Sequence, residues 1–290
     1  MNFQQKLDST VQKNNSLVCV GLDSDVNKLP PHLNNKKYPQ FEFNKAIIDA
    51  THDLVCAYKP NIAFYEAHGA HGILQLKMTC DYIKEKYPNI VTILDAKRAD
   101  IGNTNEGHAK FAFDYLNVDA ITLHPYLGKE ALKPFLDRKN KGCIILCRTS
   151  NPGAGELQDL NVDFGNQHIK MYQYLAKQVV EKWNDNDNCG LVVGATYPEE
   201  LNIVRRIVGN MPILIPGIGA QGGDIEKTVK AGVDSQGKNA IINSSRGIIF
   251  ASNGTDFTEK ARIETTKLRE CINQYRYNVS YIHIVRNSEK

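Results

Sequence analysis

No stretch of the sequence approaches the ~20 consecutive apolar residues that a bilayer-spanning helix needs, so a protein held in a membrane by such helices is excluded. The first residues, Met1-Asn2-Phe3-Gln4-Gln5-Lys6, lack the apolar core of a secretory signal, and the expected location is the cytoplasm. Seven cysteines are present, yet none forms a Cys-x-x-Cys pair or a Cys/His cluster with zinc spacing. Most lie in apolar runs such as Leu17-Val18-Cys19-Val20, and they read as buried, reduced thiols. Charge of one sign is also scarce. Thirty-five lysines and arginines against 32 acidic residues leave a net charge of only +3, too little for a nucleic-acid coat, although a local anion site remains compatible with it. There is no repeat of fixed sequence, no low-complexity tract and no clear linker.

What is present is alternation. Short β-branched runs at 17–22, 57–63, 90–95, 120–124, 143–147, 190–193, 212–215 and 240–243 are separated by longer amphipathic stretches. Those at 104–116, 166–183 and 198–208 are predicted to be helices. Strands alternating with helices imply parallel pairing through right-handed crossovers. Eight such units, with no dinucleotide fingerprint after the first strand, favour a closed (β/α)₈ TIM barrel in the α/β class over an open doubly wound sheet. The 290 residues suit a single barrel domain over 1–290. A surface excursion is expected around 26–40, a long and mobile loop around 150–165, and a C-terminal extension from about 277.

Polar and Gly-rich clusters follow nearly every predicted strand, as a barrel that builds its site from strand C-terminal ends requires. The third strand ends Asp95-Ala96-Lys97-Arg98-Ala99-Asp100. Residues two apart in a strand share a face, so Asp95 and Lys97 are expected to point together into the site, with Asp100 at the start of the next helix. A carboxylate beside the lysine favours the ammonium form, which suits a general acid better than a Schiff-base amine. An ordinary surface ion pair is the competing reading of the same residues. Lys59, after the second strand, is either functional or a stem covering apolar surface. Asp23, after the first, either accepts hydrogen bonds from sugar hydroxyls or caps a turn. Gly217, Gly219 and Gln221 lie in a glycine-rich loop leading to a helix near Asp224, and Arg246 follows the eighth strand. Together they read as a phosphate site, in the place where this architecture often holds one.

These residues, taken in order, resemble the orotidine 5′-phosphate decarboxylase family. The resemblance is carried by Gly21-Leu22-Asp23, Lys59, Asp95-x-Lys97-x-x-Asp100 with Ile101-Gly102-Asn103-Thr104, Thr149-Ser150-Asn151-Pro152, residues 217–221 and residues 243–246. It runs from about residue 20 to residue 252 and is closer to the longer, mainly bacterial branch than to the compact one. It implies decarboxylation of orotidine 5′-monophosphate to UMP, the last step of de novo UMP synthesis, without metal or cofactor. Lys97 is implied to protonate C6 of the pyrimidine, within a charge network of Asp95, Lys59 and Asp100. Asp23 is implied to bind a ribose hydroxyl, Ser150 the pyrimidine amide, and Gln221 and Arg246 the phosphate. Asp100 and Thr104 are implied to act in the partner subunit's site of a homodimer. The ligands are then orotidine 5′-monophosphate and UMP, with neither a nucleic-acid polymer nor a membrane as partner. Two rival readings differ in class: a metal-dependent sugar-phosphate lyase of the same barrel superfamily, and a nucleotide-binding barrel without catalysis.

Overall fold

A computed structural model describes residues 1–218 and 224–277. Helix α1 (Phe3–Asn14) precedes the first barrel strand, β1 (Val18–Gly21). After it come α2 (Pro39–Thr51), β2 (Ala57–Lys59), α3 (Ala63–Glu66), α4 (Gly69–Lys86) and β3 (Val91–Arg98). Helix α5 (Gly102–Ala109) runs on through a wide turn (Lys110–Tyr115) to β4 (Ala120–Leu123). Then follow α6 (Gly128–Leu136), β5 (Gly142–Arg148), α7 (Gly155–Gln158) and a hairpin, β6 (Asn161–Phe164) with β7 (Gln167–Lys170). Helix α8 (Met171–Gln178) leads through a second wide turn (Val179–Trp183) to β8 (Cys189–Val193), α9 (Pro198–Val208) and β9 (Ile213–Pro216). The chain continues through α10 (Ile225–Gly232), β10 (Ala240–Ser244), α11 (Arg246–Ile249) and α12 (Phe257–Arg276).

Eight parallel strands close in the order β1-β10-β9-β8-β5-β4-β3-β2, so each of the eight predicted strands occupies a barrel position. Helices cover the outside and side chains fill the inside, which is why every residue of β1, β4, β8 and β10 is buried. Helix α1 lies across the N-terminal mouth. Its Phe3, Leu7 and Val11 are buried. Its polar side chains and first backbone amide reach the turns that precede four strands: Gln4 bonds Asn239 at 2.9 Å, Lys6 pairs with Asp119 at 2.7 Å, Phe3 N–H bonds the Asn140 carbonyl, and the Thr10 hydroxyl bonds the Asn89 carbonyl. Six of the seven cysteines are buried, and burial pushes thiols such as Cys147 up to about 12.

The predicted helix over 166–183 needs correction, because residues 167–170 form the second strand of the β6–β7 hairpin and the helix starts at Met171. Gly165 makes the hairpin turn at φ +60°. The helix expected over 104–116 starts at Gly102 and loses α-helical hydrogen bonding at Lys110. Within 26–40, Leu29 and Leu33 are buried, and Gln40 belongs to α2, where its amide donates to the carbonyls of Ser24 and Phe64. The proposed extension beyond 277 lies outside the described residues, as do Gly219 and Gln221. Among the described residues no helix is long and apolar enough to cross a membrane.

Candidate active site

A cavity of about 470 Å³ opens at the C-terminal ends of the barrel strands. Asp23, Lys59, Asp95, Lys97, Ser150, Gly217 and Arg246 all line it, although they come from six different strand ends. Asp95 is the centre of its charge. The carboxylate is 9% exposed; Oδ2 accepts from Lys59 Nζ at 2.8 Å, while Oδ1 accepts from Lys97 Nζ at 2.6 Å and from the Thr122 hydroxyl at 2.9 Å. Lys59 is 3% exposed, so the surface ion pair is excluded as a reading of this cluster. Burial acts to raise the Asp95 carboxyl, but Lys59 and Lys97 outweigh it and hold the group well below the usual carboxylate range. Burial likewise acts to lower Lys59, and the carboxylates of Asp95 and Asp23 outweigh it, leaving the ammonium above its ordinary value. Two cations therefore share one anion on the cavity wall.

Lys97 reaches Asp95 by a route that simple strand alternation does not describe. Ile93 and Leu94 pair with Ala120 and Ile121, but Leu123 is met only by Arg98, so β3 spends four steps where β4 spends two. Lys97 sits in this bulge at φ +49°, a left-handed conformation disfavoured for a residue with a Cβ. The Thr122 hydroxyl accepts from both bulge amides, Ala96 N–H and Lys97 N–H, each at 3.0 Å. Thr122 was missed from the sequence, where its only signal is one hydroxyl in the otherwise apolar run Ala120-Ile121-Thr122-Leu123.

The opposite wall is built on β5 and the loop that follows. Gln158, also missed, accepts from Thr149 N–H at 2.9 Å and donates to the Thr149 hydroxyl at 2.8 Å, tying α7 back to the end of β5. Arg148 is buried beneath this loop, paired with Asp159 at 3.2 Å and stacked 4.1 Å from the Tyr197 ring centroid. Gly194 lets the loop approach β8, because a Cβ there would lie 2.8 Å from the Cβ of Ser150. Gly217, at φ +103°, carries the chain out of β9 in a conformation that favours glycine. Arg246 stands exposed at the start of α11, and its side chain makes no hydrogen bond or ion pair among the described residues. Asp23 Oδ1 and Asn243 Oδ1, on two cavity-lining residues, are buried acceptors without a hydrogen-bond partner among the described residues, so hydrogen-bonding capacity is left unspent there.

Asp100 and Thr104 do not line this cavity. The Asp100 carboxylate accepts from the adjacent Ile101 N–H at 2.7 Å, and Thr104 is exposed. Between them Ile101 is 60% exposed, and Tyr126, at the end of the neighbouring strand, is 83% exposed. Among the described residues no group of three or more His, Cys, Asp or Glu side chains gathers as a metal site.

Comparison with known proteins points one way. The sequence model of the orotidine 5′-phosphate decarboxylase / HUMPS family matches residues 16–261. A protein of Cellvibrio japonicus named orotidine 5′-phosphate decarboxylase is 50% identical over 275 residues, covering 94% of this chain and 98% of its own. A structure from Toxoplasma gondii, described as a putative orotidine-monophosphate-decarboxylase, superposes with a TM-score of 0.86 at 36% identity, covering 97% of this chain and 98% of that one. The UMP synthase of Leishmania donovani superposes with a TM-score of 0.84 at 37% identity; the match covers 96% of this chain but 57% of that longer one.

Proposed function

The chain belongs to the orotidine 5′-phosphate decarboxylase / HUMPS family, and we propose on that premise how its cavity carries out the family reaction. The enzyme is a carboxy-lyase of pyrimidine biosynthesis, converting orotidine 5′-monophosphate to UMP. One observation carries the reading of its chemistry: a buried carboxylate, Asp95, held between Lys59 and Lys97 on the cavity wall.

In this reading the substrate carboxylate is bound close to Asp95, and repulsion between the two anions raises the ground state. The bond from C6 to the carboxylate carbon breaks, CO₂ leaves, and the electron pair stays on C6. The Lys97 ammonium stabilises that charge as it develops and delivers its proton to C6; solvent restores the lysine. Lys59 keeps Asp95 ionised and fixes its direction. Asp23 takes a ribose hydroxyl, Ser150 the pyrimidine amide, and Gln221 and Arg246 the phosphate, with Gly217 and Gly219 also assigned to substrate binding. Binding energy from the remote phosphate orders the loops that close over the base, so its removal lowers turnover as well as affinity. No cofactor is assigned. The working unit is a cytoplasmic homodimer in which Asp100 and Thr104 complete the partner's site; their position outside their own cavity and the exposed Ile101 between them support this.

Loss of orotidine 5′-monophosphate absorbance, followed in metal-free buffer with chelator, tests the reading on wild type and Lys97→Ala. Conversion to UMP that the substitution abolishes is the expected result. Activity that requires a divalent metal, or that survives in Lys97→Ala, overturns the assignment. Mixing inactive Lys97→Ala and Asp100→Ala subunits tests the shared site: heterodimers should regain one working centre.

A further inference from the structure

We infer that Thr122 is the positioning residue that sets the aim of the Lys97 ammonium. This inference rests on the reading of Lys97 as proton donor. Thr122 is fully buried on β4, and its hydroxyl spends one donor and two acceptor positions, the full capacity of that group, within a single turn of β3. It accepts from Ala96 N–H and Lys97 N–H, the two amides that the bulge takes out of the strand ladder, and it donates to Asp95 Oδ1. Those bonds hold Lys97 at φ +49°, against its own preference, and orient the carboxylate to which its ammonium is bonded. Without them Lys97 has no reason to keep a left-handed backbone. Relaxation towards an extended strand would swing the side chain and withdraw the Nζ from Asp95. The branched Cβ of threonine adds to the effect, since it restricts χ1 and so directs the hydroxyl.

The role belongs to geometry and not to substrate binding, which gives it a distinctive signature. Thr122→Val keeps the shape and removes all three bonds. Displacement of a reacting group by ~1 Å costs about 10²-fold in rate, so kcat for orotidine 5′-monophosphate should fall by about that factor. Affinity for UMP, whose binding requires no proton transfer, should stay within about threefold of wild type. Thr122→Ser, which restores the hydroxyl, should recover most of the lost turnover. Thr122→Cys keeps the shape with a thiol that bonds weakly, and should lie between; it also serves if the valine variant does not fold. Turnover unaffected by valine or cysteine overturns the inference. So does a parallel loss of kcat and UMP affinity, or a serine variant as impaired as the valine one. The Lys97→Ala control separates the two levels: if that variant is active the proton-donor reading has failed, whereas an inactive Lys97→Ala beside a fully active Thr122→Val refutes only the role of Thr122.

Discussion

Replacing Asp95 with asparagine should damage the fold as well as the chemistry, because it strands a buried cation. Lys59 is 3% exposed, and its ammonium lies 2.8 Å from the Asp95 carboxylate. Removing one member of such a buried pair costs ~3–5 kcal/mol, since the survivor keeps its desolvation penalty and loses its counter-charge. At on the order of 2–3 °C per kcal/mol for a domain of this size, the unfolding midpoint should drop by roughly 10 °C. The pH dependence follows from the directions of the two shifts. In wild type the Asp95 value is depressed, so its contribution is present above the ordinary carboxylate value and lost only as pH falls through the folded value. Lys59 is raised, so its contribution is complete below the ordinary lysine value and lost only as pH rises through the folded one. The pair therefore leaves wild-type stability flat from about pH 5 to about pH 9. In Asp95→Asn the burial of Lys59 is no longer offset by that carboxylate, and the variant should regain stability as alkaline pH removes the proton. Thermal unfolding of wild type, Asp95→Asn and the double variant Asp95→Asn/Lys59→Met decides the matter. An apolar side chain in place of the orphaned ammonium should return the double variant to within about 1–2 kcal/mol of wild type, without restoring activity. A double variant as unstable as the single one, or a single variant that loses less than about 1 kcal/mol, would refute the argument.

Three further outcomes are expected. At the left-handed position of Lys97, Lys97→Gly should be about 0.5–1 kcal/mol more stable than Lys97→Ala in denaturant unfolding, because only glycine occupies that conformation without a Cβ clash; a more stable alanine variant would contradict the bulge. Arg246→Ala should lower kcat/KM for orotidine 5′-monophosphate by about 10²–10⁴-fold, the worth of two charge-assisted hydrogen bonds to phosphate, while leaving the slow turnover of orotidine unchanged. Gln158→Ala frees Thr149 from two hydrogen bonds; faster amide exchange there should accompany a fall of about tenfold in kcat/KM, and exchange at the wild-type rate would show that Gln158 does not hold the loop.

The barrel was legible because its strands are buried on both faces and carry continuous β-branched runs bounded by polar turns. The charge pair of Asp95 and Lys97 was legible for a partly mistaken reason. Strand alternation put both side chains on one face, whereas their meeting depends on a bulge whose hydroxyl clamp comes from another strand, beyond the reach of local pattern. The hairpin was hidden by the chain's own periodicity. Ile169, Tyr172, Ala176 and Val179 continue a helical spacing back from α8 through β7, and this outweighed the Gly165-Asn166 turn that did mark a reversal. Gln158 and Arg148 carry no motif. Their importance comes from folding α7 against the end of β5, a contact that only tertiary structure creates.

The seam between β1 and β10 joins Val18 to Ile242, and the bond from α1 to Asn239 spans 235 positions. Such a closure has a kinetic consequence. Loop entropy must be overcome before any of these contacts contributes, so the seam is expected to form among the last events of folding and to slow it. Until β10 arrives, β1 and β9 are both edge strands with unpaired backbone groups, open to pairing with another chain. A chain emerging from the ribosome therefore carries two exposed β-edges through most of its synthesis, and the arrival of β10 removes both at once.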